Sequence, residues 1–336
     1  MRVPVPPRQA LLLAALGVVA SVVLIEVGAR LATGSWSTLR VRGGEDYHVV
    51  DPVIGHVPRP GTAIRHPSEG FQVTIGAHGT RLNGDTPARA ERPLRLAVGD
   101  SFAFGDDVDD EDSWPAILER HTGARVINAG VPGFGLDQAV LRAEQLAAVY
   151  APDTIVVGFI PHDVLRCQMS YWSGNAKPHF DLDDAELRWH AAPTPPAPWY
   201  APLMPLLAMS ATVDLLFPTF LHWEGPYEVH AHAQARAVAC ALMARLATLS
   251  RATGARVVVL AHPQQPTSTA EHVELKDGVL ACAATHDLVV VDLFPTFDAL
   301  PLEQRAALFR GHLTPRGNRL VATQLADRLA APAPDR

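Results

Sequence analysis

The chain has 336 residues, 48% of them hydrophobic and 19% charged, which is enough apolar content for one large packed domain with additions. A formal charge of -7, from 28 Lys and Arg against 35 Asp and Glu, with no basic stripe, argues against nucleic acid as a partner. The cysteines, Cys167, Cys240 and Cys282, are too far apart for a CxxC or zinc-knuckle motif, yet an oxidising compartment would permit one disulfide.

At the amino terminus, Arg2 and Arg8 precede an apolar run over 10–25, extended past Glu26 by Val27-Gly28-Ala29. With a slight tilt and Glu26 near the interface, this run is about long enough to span a bilayer. Positive charge ahead of it favours an inside amino terminus, leaving the bulk of the chain outside the cytoplasm. A cleaved signal peptide is the rival reading. No cysteine follows the run to take a lipid anchor. The expected organisation is an anchor over 1–34, a lead-in with short strands over 35–92, and a main domain over 93–332 with an insertion at 166–232.

The lead-in is rich in Gly, Pro and charge; its segment 71–75 alternates like a strand and stops at Gly76-Ala77-His78-Gly79. An apolar strand over 94–98 ends at Gly99-Asp100-Ser101. A serine just past the carboxyl end of a parallel strand sits in the crevice where open α/β sheets bind ligands. Its hydroxyl can face solvent while nearby amides point at the same spot, as acyl transfer requires. Taken alone, the tripeptide reads equally as an ordinary turn. The acidic run 106–112 precedes Ser113-Trp114-Pro115, where Ser113 or Asp112 is the expected helix cap and Pro115 suits the first turn. Those acids favour the helix dipole, and a metal site is the weaker reading.

A second strand over 124–128 leads into Ala129-Gly130-Val131-Pro132-Gly133-Phe134-Gly135, after which Asp137 is the expected cap of a helix to about residue 150. A third strand over 154–159 ends in Ile160-Pro161-His162-Asp163. The insertion reads as a hairpin over 179–189, a proline-rich loop, and an apolar stretch over 206–223 broken by Asp214 and Pro218. That stretch is expected to wall or lid the site, with a membrane-surface contact or a second span as alternatives. A helix over 228–253, a strand over 255–260 ending at His262, a further helix and a strand over 288–292 follow. Last, His312 stands on a loop before a helix that Thr314 caps and Pro315 opens. Strands alternating with helices predict an α/β fold with a doubly wound parallel sheet. Neighbouring His230 and His232 do not share a helical face, so a metal role is not expected there.

Gly99-Asp100-Ser101, Asn128-Ala129-Gly130-Val131-Pro132-Gly133, Trp114-Pro115 and His312-Leu313-Thr314-Pro315-Arg316-Gly317 together resemble the SGNH hydrolases, also called GDSL-type esterases, over roughly 93–330. The resemblance implies a flavodoxin-like three-layer sandwich for the fold, with Ser101 as nucleophile and His312 as general base. It implies an oxyanion hole from the backbone N–H groups of Ser101 and Gly133, with His162 where the family places a third donor, an asparagine. It implies neither metal nor cofactor. The family also sets an aspartate two or three residues before the histidine, and here Arg310 and Phe309 hold those places. An arginine accepts no hydrogen bond, and its charge would depress a neighbouring imidazole's pKa. In serine proteases, replacing the orienting aspartate costs about 10⁴ in kcat. A Ser101–His312 dyad oriented by a backbone carbonyl, Asp292 or Asp298 is therefore expected, with a weak or inactive protein as the alternative. The anchor, lead-in and hairpin are similar to exported, membrane-anchored members that act on acyl groups of cell-envelope or secreted polysaccharides. The implied function is an esterase removing O-acyl groups, with acetyl as the expected group. An O-acyltransferase using the same serine, or a binding protein that keeps the cleft, are the rivals.

Overall fold

Helix α1 (Pro7–Thr33) is apolar on all sides. Its stretch Arg8–Ala32 has a mean hydropathy of 2.6 and is long and apolar enough to cross a membrane by length and composition. The computed structural model describes residues 7–33, 48–65, 70–84, 93–172, 175–184, 186–192, 210–212 and 234–330. Two units result, one from 1–46 with 194–226, the other from 47–193 with 227–336. Within the first, the Glu26 carboxylate pairs with Arg30 at 2.8 Å and accepts hydrogen bonds from the Ser210 hydroxyl (2.7 Å) and the Ala211 amide (2.9 Å). The described part of the apolar stretch thus bonds to α1. The remainder of that stretch, the expected wall or lid, lies outside the described residues, as does the proline-rich loop.

The second unit begins with two hairpins, β1 (His48–Asp51) with β2 (Gly55–Pro58) and β3 (Ala63–Arg65) with β4 (Gln72–Thr74). Then come β5 (Leu94–Val98), α2 (Ser101–Phe104), α3 (Trp114–Thr122), β6 (Arg125–Asn128), α4 (Leu136–Tyr150), β7 (Thr154–Phe159) and α5 (Pro161–Arg166). The insertion supplies β8 (Tyr171–Trp172), β9 (Asn175–Ala176) and the expected hairpin β10 (His179–Asp183) with β11 (Glu186–His190). The chain closes with α6 (Ala235–Thr253), β12 (Arg256–Ala261), α7 (Ala270–Thr285), β13 (Val289–Asp292), α8 (Phe294–Asp298), α9 (Leu302–Ala306), β14 (Phe309–Arg310), β15 (His312–Leu313) and α10 (Pro315–Ala330).

Five parallel strands form one sheet in the order β13-β12-β7-β5-β6. Read from β6, this is the flavodoxin-like order, and its switch point falls between β5 and β7. Side chains alternate across the sheet. Leu96, Val98, Ile155, Val157, Val257 and Val259 enter one core, which α4, α6 and α7 cover with residues such as Val140, Leu242 and Val279. Ala97, Val156, Val258 and Leu260 enter the other, covered by α3 and α10 through Trp114, Leu118, Val321 and Leu325. Burial on both faces explains why these strands read as continuous apolar runs.

Of the two expected caps, Ser113 holds the position without the side-chain bond, and Asp137 is corrected. Ser113 occupies the cap position of α3 but its hydroxyl donates to the Asp110 carbonyl, and the Trp114 amide donates instead to Asn318 Oδ1 on α10 at 2.9 Å. Asp137 lies inside α4, fully buried and paired with the equally buried Lys177 at 2.8 Å. The Lys177 ammonium also donates to the carbonyls of Arg166, Met169 and Pro178. Burial lifts the Asp137 carboxyl above its usual range, against the pull of Lys177. Helix α6 is first described at Ala235, and the expected start at 228 lies outside the described residues.

Candidate active site

Strand β5 delivers Gly99-Asp100-Ser101 to the switch point. A Cβ on Gly99 would stand 2.5 Å from the Gly158 carbonyl oxygen, so only glycine lets β5 turn this close to β7. Asp100 then caps α2, its Oδ1 accepting the Phe102 amide at 3.0 Å. Ser101 is the first residue of this one-turn helix. The loop after β6 packs against the same helix: a Cβ on Gly130 would lie 2.3 Å from the Phe104 amide nitrogen. Farther along that loop is Gly133, partly exposed. Among the described residues, the amides of Ser101 and Gly133 donate to no protein acceptor and remain available to a substrate oxygen.

His312 arrives from the opposite end of the sequence. The β14–β15 hairpin turns at Gly311 and presents the imidazole to α2, where it packs edge-on against Phe102 with ring centroids 5.0 Å apart. Among the described residues no hydrogen bond joins Ser101 Oγ to the ring. Catalytic hydrogen bonds are often long before substrate binds. The other side of the ring holds the residue the sequence reading missed. His312 Nδ1 is 2.9 Å from Asp107 Oδ2, while Nε2 is 3.9 Å from Asp106 Oδ2. Both carboxylates belong to the acidic run 106–112, whose place ahead of a helix points first to the helix dipole.

The expected orienters are committed elsewhere. Asp292 pairs with Lys276 at 2.7 Å and accepts the Phe294 amide, and Asp298 pairs with Arg305 at 2.6 Å. Arg310 does not govern the imidazole either. Burial pulls the His312 pKa down, but the hydrogen bond to Asp107 and the charges of Asp106, Asp107 and Asp100 outweigh it, so the value lies above the usual one. The same hydrogen bond holds the Asp107 carboxyl below its usual range. Burial lifts Asp106 to about 6, against the pull of His312.

On the far side of Ser101 stands α5. His162 and Asp163 both lie there, and Arg166, one turn on, ties them to the other loops. Its guanidinium donates to Asp163 Oδ1 (2.7 Å), the Phe134 carbonyl (2.8 Å) and His162 Nδ1 (3.2 Å), and comes within 4.0 Å of Asp100 Oδ2. Asp163 also accepts the Ile160 amide, so it holds the loop. Burial, then the charge of Asp100, lift its carboxyl well above the usual range, with Arg166 opposing. His162 further packs on Trp172 at 4.7 Å. His262, just past the end of β12, is fully buried against Phe102, with its pKa pushed down by burial.

The lead-in braces both loops. Arg81 is 2% exposed; it pairs with Asp110 at 2.9 Å and donates to the carbonyls of Phe104, Gly105, Val108 and Gln72. These bonds fix the backbone on either side of Asp106 and Asp107. His56 Nε2 is 3.2 Å from the Pro132 carbonyl, beside Gly133. Among the described residues no group of three or more His, Cys, Asp or Glu is placed to hold a metal ion.

A serine at the switch point, an imidazole held by a carboxylate and two uncommitted amides stand together on a flavodoxin-like sheet, the groups that acyl transfer through a serine requires. The model of the GDSL-like lipase/acylhydrolase family matches residues 97–320, and the chain belongs to that family, whose members are generally ester hydrolases. Similar solved structures include a putative lipolytic G-D-S-L protein from Desulfitobacterium hafniense, at 15% identity over 70% of this chain and 98% of that one, with a TM-score of 0.39. A lipase/acylhydrolase from Enterococcus faecalis matches at 14% identity over 73% and 100%, TM-score 0.43. A putative SGNH hydrolase from Slackia heliotrinireducens matches at 15% over 71% and 100%, TM-score 0.40. No curated protein matches the chain in sequence.

Proposed function

We propose that this chain is a membrane-anchored serine esterase, acting outside the cytoplasm, that removes O-acyl groups from an envelope or secreted glycan, acetyl first among them. The observation that carries the reading is the placement of His312 against α2, the helix that Ser101 opens at the sheet's switch point. Ser101 Oγ attacks the ester carbonyl while His312 Nε2 takes its proton. The imidazolium then protonates the departing sugar oxygen, leaving an acyl-serine that water cleaves by the same route. The Ser101 and Gly133 amides hold the oxyanion, and each such donor is worth on the order of 10²–10³ in rate. Because Arg166 donates to His162 Nδ1, a neutral His162 ring carries its proton on Nε2, the form that serves as a third donor.

Two features support the location. The charge ahead of α1 favours an inside amino terminus. Cys240 on α6 and Cys282 on α7 form a disulfide with Cα atoms 5.3 Å apart, a bond that persists in oxidising compartments. Envelope and secreted glycans are the acylated polymers such a site would meet. The test is fluorophosphonate labelling of the full-length protein in detergent, with Ser101 modified and Ser101→Ala unmodified. An acetylated glycan should then release free acetate in water. No labelling anywhere between about pH 6 and 9, where labelling should rise as pH passes the raised His312 pKa, would sink the reading. Acetate transfer only to an added sugar would replace hydrolysis with acyl transfer.

A further inference from the structure

We propose that Asp107, on the loop that follows the nucleophile helix, is the positioning residue for His312, standing in for the acid that the family's pattern sets just before the histidine. The inference rests on the Ser101–His312 reading and adds the third member of the relay. Its first support is geometric: Asp107 Oδ2 lies 2.9 Å from His312 Nδ1, across 205 residues of sequence. An imidazole whose Nδ1–H is held by a carboxylate presents an unprotonated Nε2, the nitrogen a serine base must use. The proton of Ser101 passes to Nε2 and from there to the leaving alcohol, while the Nδ1 proton stays on His312 throughout and Asp107 remains ionised.

The second support is that the loop is built to hold this carboxylate. Asp107 has φ +67, a left-handed conformation that aspartate and asparagine tolerate better than most residues. Arg81 fixes the carbonyls of Gly105 and Val108 on either side. Arg310, which occupies one of the places of the family's acid, reaches the Asp107 carbonyl at 3.5 Å. The acid has thus changed its address in sequence while reaching the same nitrogen, and a cation now stands at the old address. The charged groups facing the imidazole are Asp107 and Asp106 from the loop, Asp100 from the start of α2 and Arg310 from its own hairpin.

The test is Asp107→Asn in the full-length protein, a change that preserves side-chain shape and the backbone preference. Two quantities are read: the pH dependence of fluorophosphonate labelling at Ser101, and the titration of the His312 ring by NMR. The expected result is labelling slowed by a factor on the order of 10³–10⁴, as for the corresponding change in a serine protease. The rise with pH should also move to lower pH, and Asp107→Glu should recover part of the rate. Labelling within threefold of wild type with an unmoved profile overturns the inference while leaving the esterase reading intact. Wild-type protein that never labels overturns the esterase reading instead. The NMR titration then judges the pairing by itself, a lowered His312 pKa in Asp107→Asn upholding it and an unchanged one refuting it.

Discussion

Two buried arginines flank the candidate nucleophile, and they do different work. Arg81 spreads its fork over the backbone carbonyls of Phe104, Gly105, Val108 and Gln72, with one carboxylate partner, Asp110. Arg166 sits among charges: it pairs with Asp163, approaches Asp100 and holds the ring of His162. The first sets the path of a loop, so its shape matters most. The second balances two carboxylates that face one another behind Ser101, so its charge matters most. One wall of the site is therefore held by geometry and the other by electrostatics, although an arginine serves in both.

Lysine substitution separates the two. Arg166→Leu leaves Asp100 and Asp163 buried without their cation and should cost about 5 kcal/mol at neutral pH, the upper range for breaking a buried pair. Arg166→Lys should recover much of it. The sign with pH follows from Asp163. Its pKa in the folded protein is raised, so folding favours the protonated acid, and the stability linked to it is present at low pH and lost as pH rises towards the folded value. Denaturation of Arg166→Leu should therefore show a smaller deficit at pH 5 than at pH 8. A deficit that grows on acidification would contradict the charge-balancing role.

Arg81→Ala should cost about 4 kcal/mol, and Arg81→Lys nearly as much, because one ammonium cannot span five acceptors in a fixed fork. Both variants should also slow Ser101 labelling, since the loop that carries Asp107 loses its brace. A lysine that restores both stability and labelling would show that charge alone suffices at this wall. The smallest effect should come from Cys240→Ser with Cys282→Ser. The disulfide closes a loop with a sequence separation of 42 residues between α6 and α7. Its loss should cost about 3 kcal/mol in thermal or denaturant unfolding. Labelling kinetics below the melting transition should stay as they are in wild type. A slowed Ser101 in the reduced protein would tie the helical layer to the site.

The sequence by itself determined which runs become the strands and helices of the sheet, in their succession along the chain, and where most of the strands end. The runs at 94–98 and 154–159 became β5 and β7 residue for residue. Thr314-Pro315 opened the last helix where expected. These signals are local: a buried parallel strand needs an apolar run, and a helix start needs a cap and a tolerant first turn. Only the tertiary structure decided that Asn318 caps α3, that Lys177 answers Asp137, that Cys240 meets Cys282, and that Asp107 rather than Asp292 or Asp298 reaches His312. A charged side chain finds its partner through space. When the partners lie 40 to 205 residues apart, the winding of the sheet selects among many acids of identical local character. In the acidic run 106–112 nothing in the local pattern marks Asp107. It is the Arg81 clamp and the β14–β15 hairpin that bring its carboxylate to the ring.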